Sequence, residues 1–205
     1  MERMYSPEAQ ELQKIVDPIN YLDILKMPKY IVSATGDQFF VPDTSQFFFH
    51  RLNGENRLRY IPNSDHGMSR TDAFQSVISY YHSFLFNVPR PDFKWENKYE
   101  SDKGVLTLHS QEKPESVKLW YAVNEKDRNF MVKAIGRVWE STDLRDEGNG
   151  KFVATVENPK TGYKAYMIEV KYKSRTLVPL IFTTSTFIVP NKFPCSNPFK
   201  APESK

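Results

Sequence analysis

The clearest periodicity lies between residues 71 and 86. Phe74, Val77, Ile78, Tyr81 and Leu85 fall at offsets of three, four, seven and eleven, which is one stripe of an α-helix. The spacing predicts a long helix over 71–86 whose stripe faces a core. Two shorter apolar runs, Lys29 to Ala34 (KYIVSA) and Leu58 to Ile61, are short enough to read as buried strands. A helix start is written at Ser6-Pro7-Glu8. It offers a hydroxyl cap, a proline at the first helical position and an acid at the positive end of the helix dipole. That helix runs toward Val16 and stops before Asp17-Pro18. Asp43-Thr44-Ser45-Gln46 resembles a capping box and predicts another helix through Arg51. After the leading helix the order is strand, helix, strand, helix. This is a parallel α/β layout, in which ligands sit beyond the carboxyl ends of the strands.

The pattern changes at NVPRPDF, residues 87–93, where Pro89 and Pro91 suit a linker. Beyond it apolar and polar positions alternate. Strands are predicted over 104–109, 117–123, 130–139, 151–157, 163–173 and 177–189, with 93–99 a further candidate. Tyr166, Ile168, Val170 and Tyr172 alternate with Ala165, Met167, Glu169 and Lys171, which predicts one buried face. EGNG at 147–150 and NPKTG at 158–162 are turn sequences. About seven short strands in roughly 100 residues suggest a β-sandwich of immunoglobulin or fibronectin type III style. The expected division is an α/β part over 1–90, an all-β part over 91–190 and an irregular Pro-rich tail over 191–205.

Composition narrows the function classes. Hydrophobic residues are 40% and charged residues 26% of the 205, an ordinary globular mix that can build a sizeable core. A net charge of +3 with no basic cluster interleaved with aromatics argues against a nucleic-acid partner. Cys195 is the single cysteine, so no internal disulfide and no Cys/His ligand set can form. The thiol reads as inert, or as a link to another chain if the protein is exported. No apolar run approaches the ~20 residues that span a membrane. The first residues lack the apolar core of a signal peptide.

Two residues carry candidate chemistry. Asp37 follows the first strand in YIVSATGDQFF, and His66 follows the second in NSDHGMS, 29 residues later. One helix and one strand lie between them, as in a single α/β crossover. A hydrolytic triad needs a hydroxyl or thiol that attacks, a His that takes its proton and a carboxylate that orients the His. In α/β-hydrolases the acid and the His follow the nucleophile in chain order, on the loops after late strands. Gly36 is expected to permit a sharp exit from the strand and Gly67 a close approach of the loop. Taken alone, Asp37 reads as a turn cap and His66 as a surface residue; their order, spacing and flanks together favour a triad origin. Asp43 is a rival acid but reads better as a helix N-cap, and Asp65 should point elsewhere in its tight turn. Ser33, Ser45 and Ser69 are nucleophiles by count only. None of the eight glycines flanks a serine in the G-x-S-x-G spacing, so no nucleophile elbow is present. His50, His82 and His109 lack ligand spacing, so no metal and no cofactor is expected. Trp95, Trp120 and Trp139 read as core of the β part, with a carbohydrate platform as the lesser alternative. The runs Phe39-Phe40 and Phe47-Phe48-Phe49 read as packing, with at most one of them lining a pocket.

The stretches IVDPINYLDIL, MPKYIVSATGDQFFVPDTSQFFF and LRYIPNSDHGM together resemble the PhoPQ-activated pathogenicity-related proteins. The resemblance is strong over roughly residues 10–90 and looser over 91–190. That family is similar to α/β-hydrolases of the peptidase and esterase kind, and it includes a secreted autocrine proliferation repressor of social amoebae. The resemblance implies that residues 1–90 are the C-terminal part of an α/β-hydrolase parallel sheet, with Asp37 at the triad acid position and His66 at the triad base position. It also implies export and a protein partner such as a cell-surface receptor. The stretch before Lys29 is too short for the parallel strands that normally come first. The expectation is therefore a truncated, hydrolase-like chain that acts by binding, with an exposed sheet edge open to self-association. The alternatives are a fragment of a serine hydrolase whose nucleophile lies upstream, and a β-sandwich adhesion module with an α/β adaptor.

Overall fold

The computed structural model describes residues 6–174 and 178–194. Leu177, Cys195 and the rest of the expected tail lie outside the described residues. Three α-helices and ten strands are described: α1 Pro7–Val16, β1 Lys29–Ala34, β2 Asn56–Ile61, α2 Ala73–Leu85, β3 Phe93–Tyr99, β4 Lys103–Ser110, β5 Ser116–Asn124, α3 Val132–Ile135, β6 Glu140–Asp143, β7 Lys151–Glu157, β8 Tyr163–Tyr172, β9 Leu180–Thr183 and β10 Phe187–Val189. The protein is mostly β-sheet with some helices. One sheet is mixed, in the order β1-β2-β9-β8-β5-β6 with β10 also on β8, and the other is antiparallel, in the order β3-β4-β7.

The expected helix start holds. Ser6 Oγ accepts the Ala9 N–H at 3.2 Å, and Pro7 opens α1. Between β1 and β2 the expected helix through Arg51 is replaced by two short 3-10 turns, Thr44–Phe47 and Phe49–Arg51. The chain still crosses over, and β1 pairs with β2 in parallel from Lys29↔Asn56 to Ala34↔Ile61. Next to them β9 runs antiparallel to β2, meeting it at Leu58↔Thr183. Strands from both sides of the Pro89-Arg90-Pro91 segment thus share one sheet.

Residues 130–139 were expected to be a strand. They instead form the single turn α3, reversed at Gly136 with φ 78°, and the strand on the outer side of β5 is β6. The run over 177–189 is likewise broken. Thr184, Ser185 and Thr186 separate β9 from β10, and all three are fully buried. The hydroxyls of Thr183, at the end of β9, and Thr184 take over part of the ladder. Thr183 Oγ1 accepts the Tyr60 N–H at 3.0 Å and Thr184 Oγ1 accepts the Ile168 N–H at 3.0 Å. Backbone donors that leave the ladder inside a core must find such partners, because a lost hydrogen bond there costs free energy.

β8 buries the expected face, and the other face as well at Ala165 and Met167. Tyr166, Ile168, Val170 and Tyr172 face Leu106, Leu108, Phe152 and Val156 of the second sheet. Ala165 and Met167 on the other face pack with Phe49, Phe130 and Trp139. Gly104 makes the sheet-to-sheet contact possible, since a Cβ there would sit 1.9 Å from the Tyr166 hydroxyl.

Helix α2 reverses the expectation drawn from its periodicity. Its buried residues are Ser76, Ser79, Tyr80 and Ser83, and Tyr80 stacks on Tyr30 at 4.6 Å. The small serines let the helix lie close to β1 and β9. The predicted stripe is on the opposite side and faces outward: Phe74 is 72% and Leu85 60% exposed.

The end of β2 is joined to the start of α2 by one buried cation. Arg59 is 3% exposed; it donates two bonds to Asp72 at 3.0 and 3.1 Å and one to Glu169 on β8. Arg59→Ala would strand the largely buried Glu169 carboxylate while the half-exposed Asp72 turns to water, and is expected to cost roughly 3 kcal/mol, the low end for breaking a buried pair. Urea unfolding of the variant against the parent protein measures this.

Candidate acid–base site

Asp37 stands just past the end of β1. The strand direction continues through Thr35, whose N–H bonds Ile61 O at 3.0 Å, and Gly36, whose N–H bonds Ser64 O at 2.9 Å. Gly36 serves close approach rather than a sharp exit. A Cβ there would lie 2.5 Å from Val132 Cγ2 and 3.0 Å from Ser64 O. The Asp37 carboxylate is 1% exposed and fully engaged. Oδ1 accepts the N–H groups of Phe39 at 2.7 Å and Phe40 at 3.1 Å. Oδ2 lies 2.9 Å from His66 Nδ1. Burial pushes the Asp37 pKa up, but the Phe39 and Phe40 amides and His66 outweigh it, so the carboxyl sits below its ordinary value.

His66 comes from the loop between β2 and α2. An ionised carboxylate is an acceptor only, so the proton belongs on Nδ1 and Nε2 keeps its lone pair. The side chain is 47% exposed, with the ring of Phe39 edge-on at 5.0 Å and that of Phe40 at 5.9 Å. The His66 N–H points to Gln38 Oε1 at 3.4 Å. Gly67 has no close neighbour beyond Asp65 Oδ1 at 3.5 Å, so the tight approach expected of it is absent. Asp65 is turned to the Gly67 N–H at 3.2 Å, away from the ring.

The rival acid is occupied elsewhere. Asp43 is 2% exposed, pairs with Arg128 at 2.6 Å, and makes no cap hydrogen bond. Its sequence neighbours gave the cap reading, and an arginine 85 positions later overrides it. Among the described residues, no hydroxyl or thiol is hydrogen-bonded to His66, although two partners of its loop escaped the sequence reading: Gln38, and Thr35, whose Oγ1 accepts the Asn63 N–H at 3.1 Å. Ser45 is buried and Ser69 is exposed. Ser33 lines a groove of about 730 Å³ together with Ile31, Phe40, Phe47 and Phe48, and the groove shares Phe40 with the surroundings of His66. The phenylalanine runs are therefore not simple packing: Phe39, Phe40 and Phe47 are exposed, both runs contribute to that groove, and only Phe49 is buried. His50 and His109 are exposed, and His82 stacks on Phe86 at 4.1 Å. No cluster of three His, Cys, Asp or Glu side chains that could hold a metal occurs among the described residues. None of their helices is long and apolar enough to cross a membrane.

The arrangement can hold a proton on Nδ1, accept one on Nε2 and stabilise the resulting imidazolium with a buried carboxylate. The model of the PhoPQ-activated pathogenicity-related protein family matches residues 1–131. The chain is 32% identical over 218 residues to autocrine proliferation repressor protein A of Dictyostelium discoideum, across 95% of this chain and 44% of that protein. It therefore spans less than half the length of that relative. Two crystal structures show a fainter likeness. One, a Br derivative of BhCBM56, is 17% identical with TM-score 0.31 and covers 49% of this chain and 92% of that one. The other, a family 56 β-1,3-glucan binding domain, is 17% identical with TM-score 0.29 and covers 47% and 96%. Similarity at that level carries no argument about fold or ligand.

The depressed Asp37 pKa fixes a sign. The unfolded chain binds this proton at the ordinary Asp value near pH 3.9, and the folded chain only below it. Asp37 thus contributes stability above the unfolded value, and the contribution is lost as pH falls through the folded one. Thermal midpoints between pH 7 and pH 2.5 are expected to fall more steeply for the parent protein than for Asp37→Asn. Parallel curves would remove the charge from this account.

Proposed function

The chain belongs to the PhoPQ-activated pathogenicity-related protein family, and we propose that Asp37 and His66 are the acid and base of a serine-hydrolase-type site. The nucleophile is supplied from outside the described residues. The observation that carries this reading is the 2.9 Å contact between Asp37 Oδ2 and His66 Nδ1, on a His66 side chain that is about half exposed. Both residues lie past the carboxyl ends of two adjacent parallel strands, where α/β folds keep their ligands. In this role Nε2 removes the proton of a hydroxyl as it attacks an ester or amide carbonyl carbon. Asp37 stabilises the imidazolium, which then returns the proton to the leaving group.

The finer fold reading goes with it. Residues 1–90 are the C-terminal part of a hydrolase-type sheet, and residues 91–190 are an immunoglobulin- or fibronectin-like unit joined to it through β2 and β9. The outward apolar stripe of α2 and the outer edge of β1, which no described strand pairs, support a further α/β layer on that side. Such a layer would carry the hydroxyl.

A second reading has its own observation. The same apolar face would serve a chain that acts by binding a protein partner, and one relative bears the name of an autocrine proliferation repressor. In that case Asp37 and His66 are relics. The native protein, isolated intact from its source, separates the two. Under the hydrolase reading it labels with a fluorophosphonate probe, and Asp37→Asn lowers the rate of labelling or turnover by about 10⁴-fold. Failure of the folded native protein to label, with an intact mass near 24.0 kDa, would overturn that reading and leave the binding role.

A further inference from the structure

We infer that residues 131–139 are a clamp that sets the geometry between Asp37 and His66, with Asn63 as the positioning residue of the base; the inference rests on reading those two residues as a catalytic pair. The segment touches both loops. On the acid side, the Val132 N–H donates to Gly36 O at 3.2 Å, and the Val132 side chain fills the space a Gly36 Cβ would need. That contact is one residue from Asp37.

On the base side, the Asn63 carboxamide acts like a short strand. Its Oδ1 accepts the Trp139 N–H at 2.8 Å, and its Nδ2 donates to Trp139 O at 2.9 Å. Arg137 Nη1 donates to Asn63 O. Asn63 itself is left-handed at φ 57°, a conformation that asparagine adopts more readily than most residues. Met68 and Arg70 in the same loop are also left-handed, at φ 47° and 58°. A loop with three such residues needs outside contacts to hold one shape.

The two loops are also tied to each other. The Asn63 N–H reaches Thr35 Oγ1 at 3.1 Å, and Ser64 O takes the Gly36 N–H at 2.9 Å. The clamp has a firm base: Trp139 is 4% exposed beside Phe130, and the next four residues pair with β5 as β6. Gly136 supplies the left-handed reversal that returns the chain from Gly36 to Asn63. The all-β part of the chain therefore reaches across and fixes the acid–base pair of the α/β part.

The test is ¹⁵N and proton NMR of His66 in the full chain. In the parent protein the neutral ring should show one tautomer, protonated on Nδ1, with that proton exchanging slowly. Asn63→Ala should give mixed ring-nitrogen shifts and about tenfold faster exchange of the Nδ1 proton, the size expected for loss of two such hydrogen bonds. Leu108→Ala, in the distant sheet-to-sheet core, controls for loss of stability and should leave the His66 signals unchanged. Asn63→Asp, which keeps the acceptor for Trp139, should fall between parent and alanine. If Asn63→Ala does not fold, Arg137→Ala decides, because that side chain is exposed and its loss removes one contact. Unchanged His66 signals in the folded variants would overturn the clamp. These signals do not depend on a nucleophile, so absence of fluorophosphonate labelling would count against the hydrolase reading alone.

Discussion

The ion pairs of Arg59 hold together the parts on which everything else rests. Arg59 is on β2, Asp72 immediately precedes α2, and Glu169 is on β8. The loop that carries His66 runs from one end of the Arg59–Asp72 contact to the other. The same guanidinium ties β2 to the central strand of the large sheet. A buried charge is tolerated only when its partners are in place. Desolvation works against the Arg59 charge, and the carboxylates of Glu169 and Asp72 outweigh it and raise its pKa. The pairing adds little net stability compared with an apolar core, but it admits very few arrangements of loop, helix and sheet. That geometric strictness suits a site whose two members lie on different loops.

Where local chemistry decided the outcome, the sequence was legible. α1 begins at its proline and stops before Asp17-Pro18, and β1 spans KYIVSA as read. The parallel crossover and the nearness of Asp37 to His66 also followed from order and spacing. Distant contacts decided the rest. Asp43 was read as a cap from its neighbours, and Arg128 claims it. Residues 130–139 alternate like a strand, yet Val132 and Trp139 are held by Gly36 and Asn63 from the first part of the chain. Asn63 was not singled out from the sequence at all. No local pattern says that a side-chain amide will complete a backbone ladder.

Helix α2 shows a different failure of sequence reading. Its periodicity was correct and the inferred direction was wrong. A helix with apolar residues on one face and serines on the other is normally turned apolar side inward. Here the serine face fits close against Tyr30 and β9, and Ser79 Oγ donates to Val178 O at 2.9 Å. Thirteen residues without an Asp, Glu, Lys or Arg then present Phe74, Val77, Ile78 and Leu85 outward. A contiguous apolar face of this kind marks an interaction surface in a soluble protein. The stripe read from the sequence is real, but among the described residues it is left exposed.

Asp37 and His66 meet in the geometry that the proposed hydrolase-type site requires. Asp37 is buried and charged, His66 sits on a loop with three left-handed residues, and Gly36 leaves no room for a side chain. A pair of residues retained only as packing would need none of these. A carboxylate could be replaced by an amide and still accept from Phe39 and Phe40, but only the ionised form holds the Nδ1 proton and stabilises a charged imidazole. The amides of Phe39 and Phe40 and the imidazole that hold Asp37 ionised are also what the proposed proton-accepting Nε2 requires.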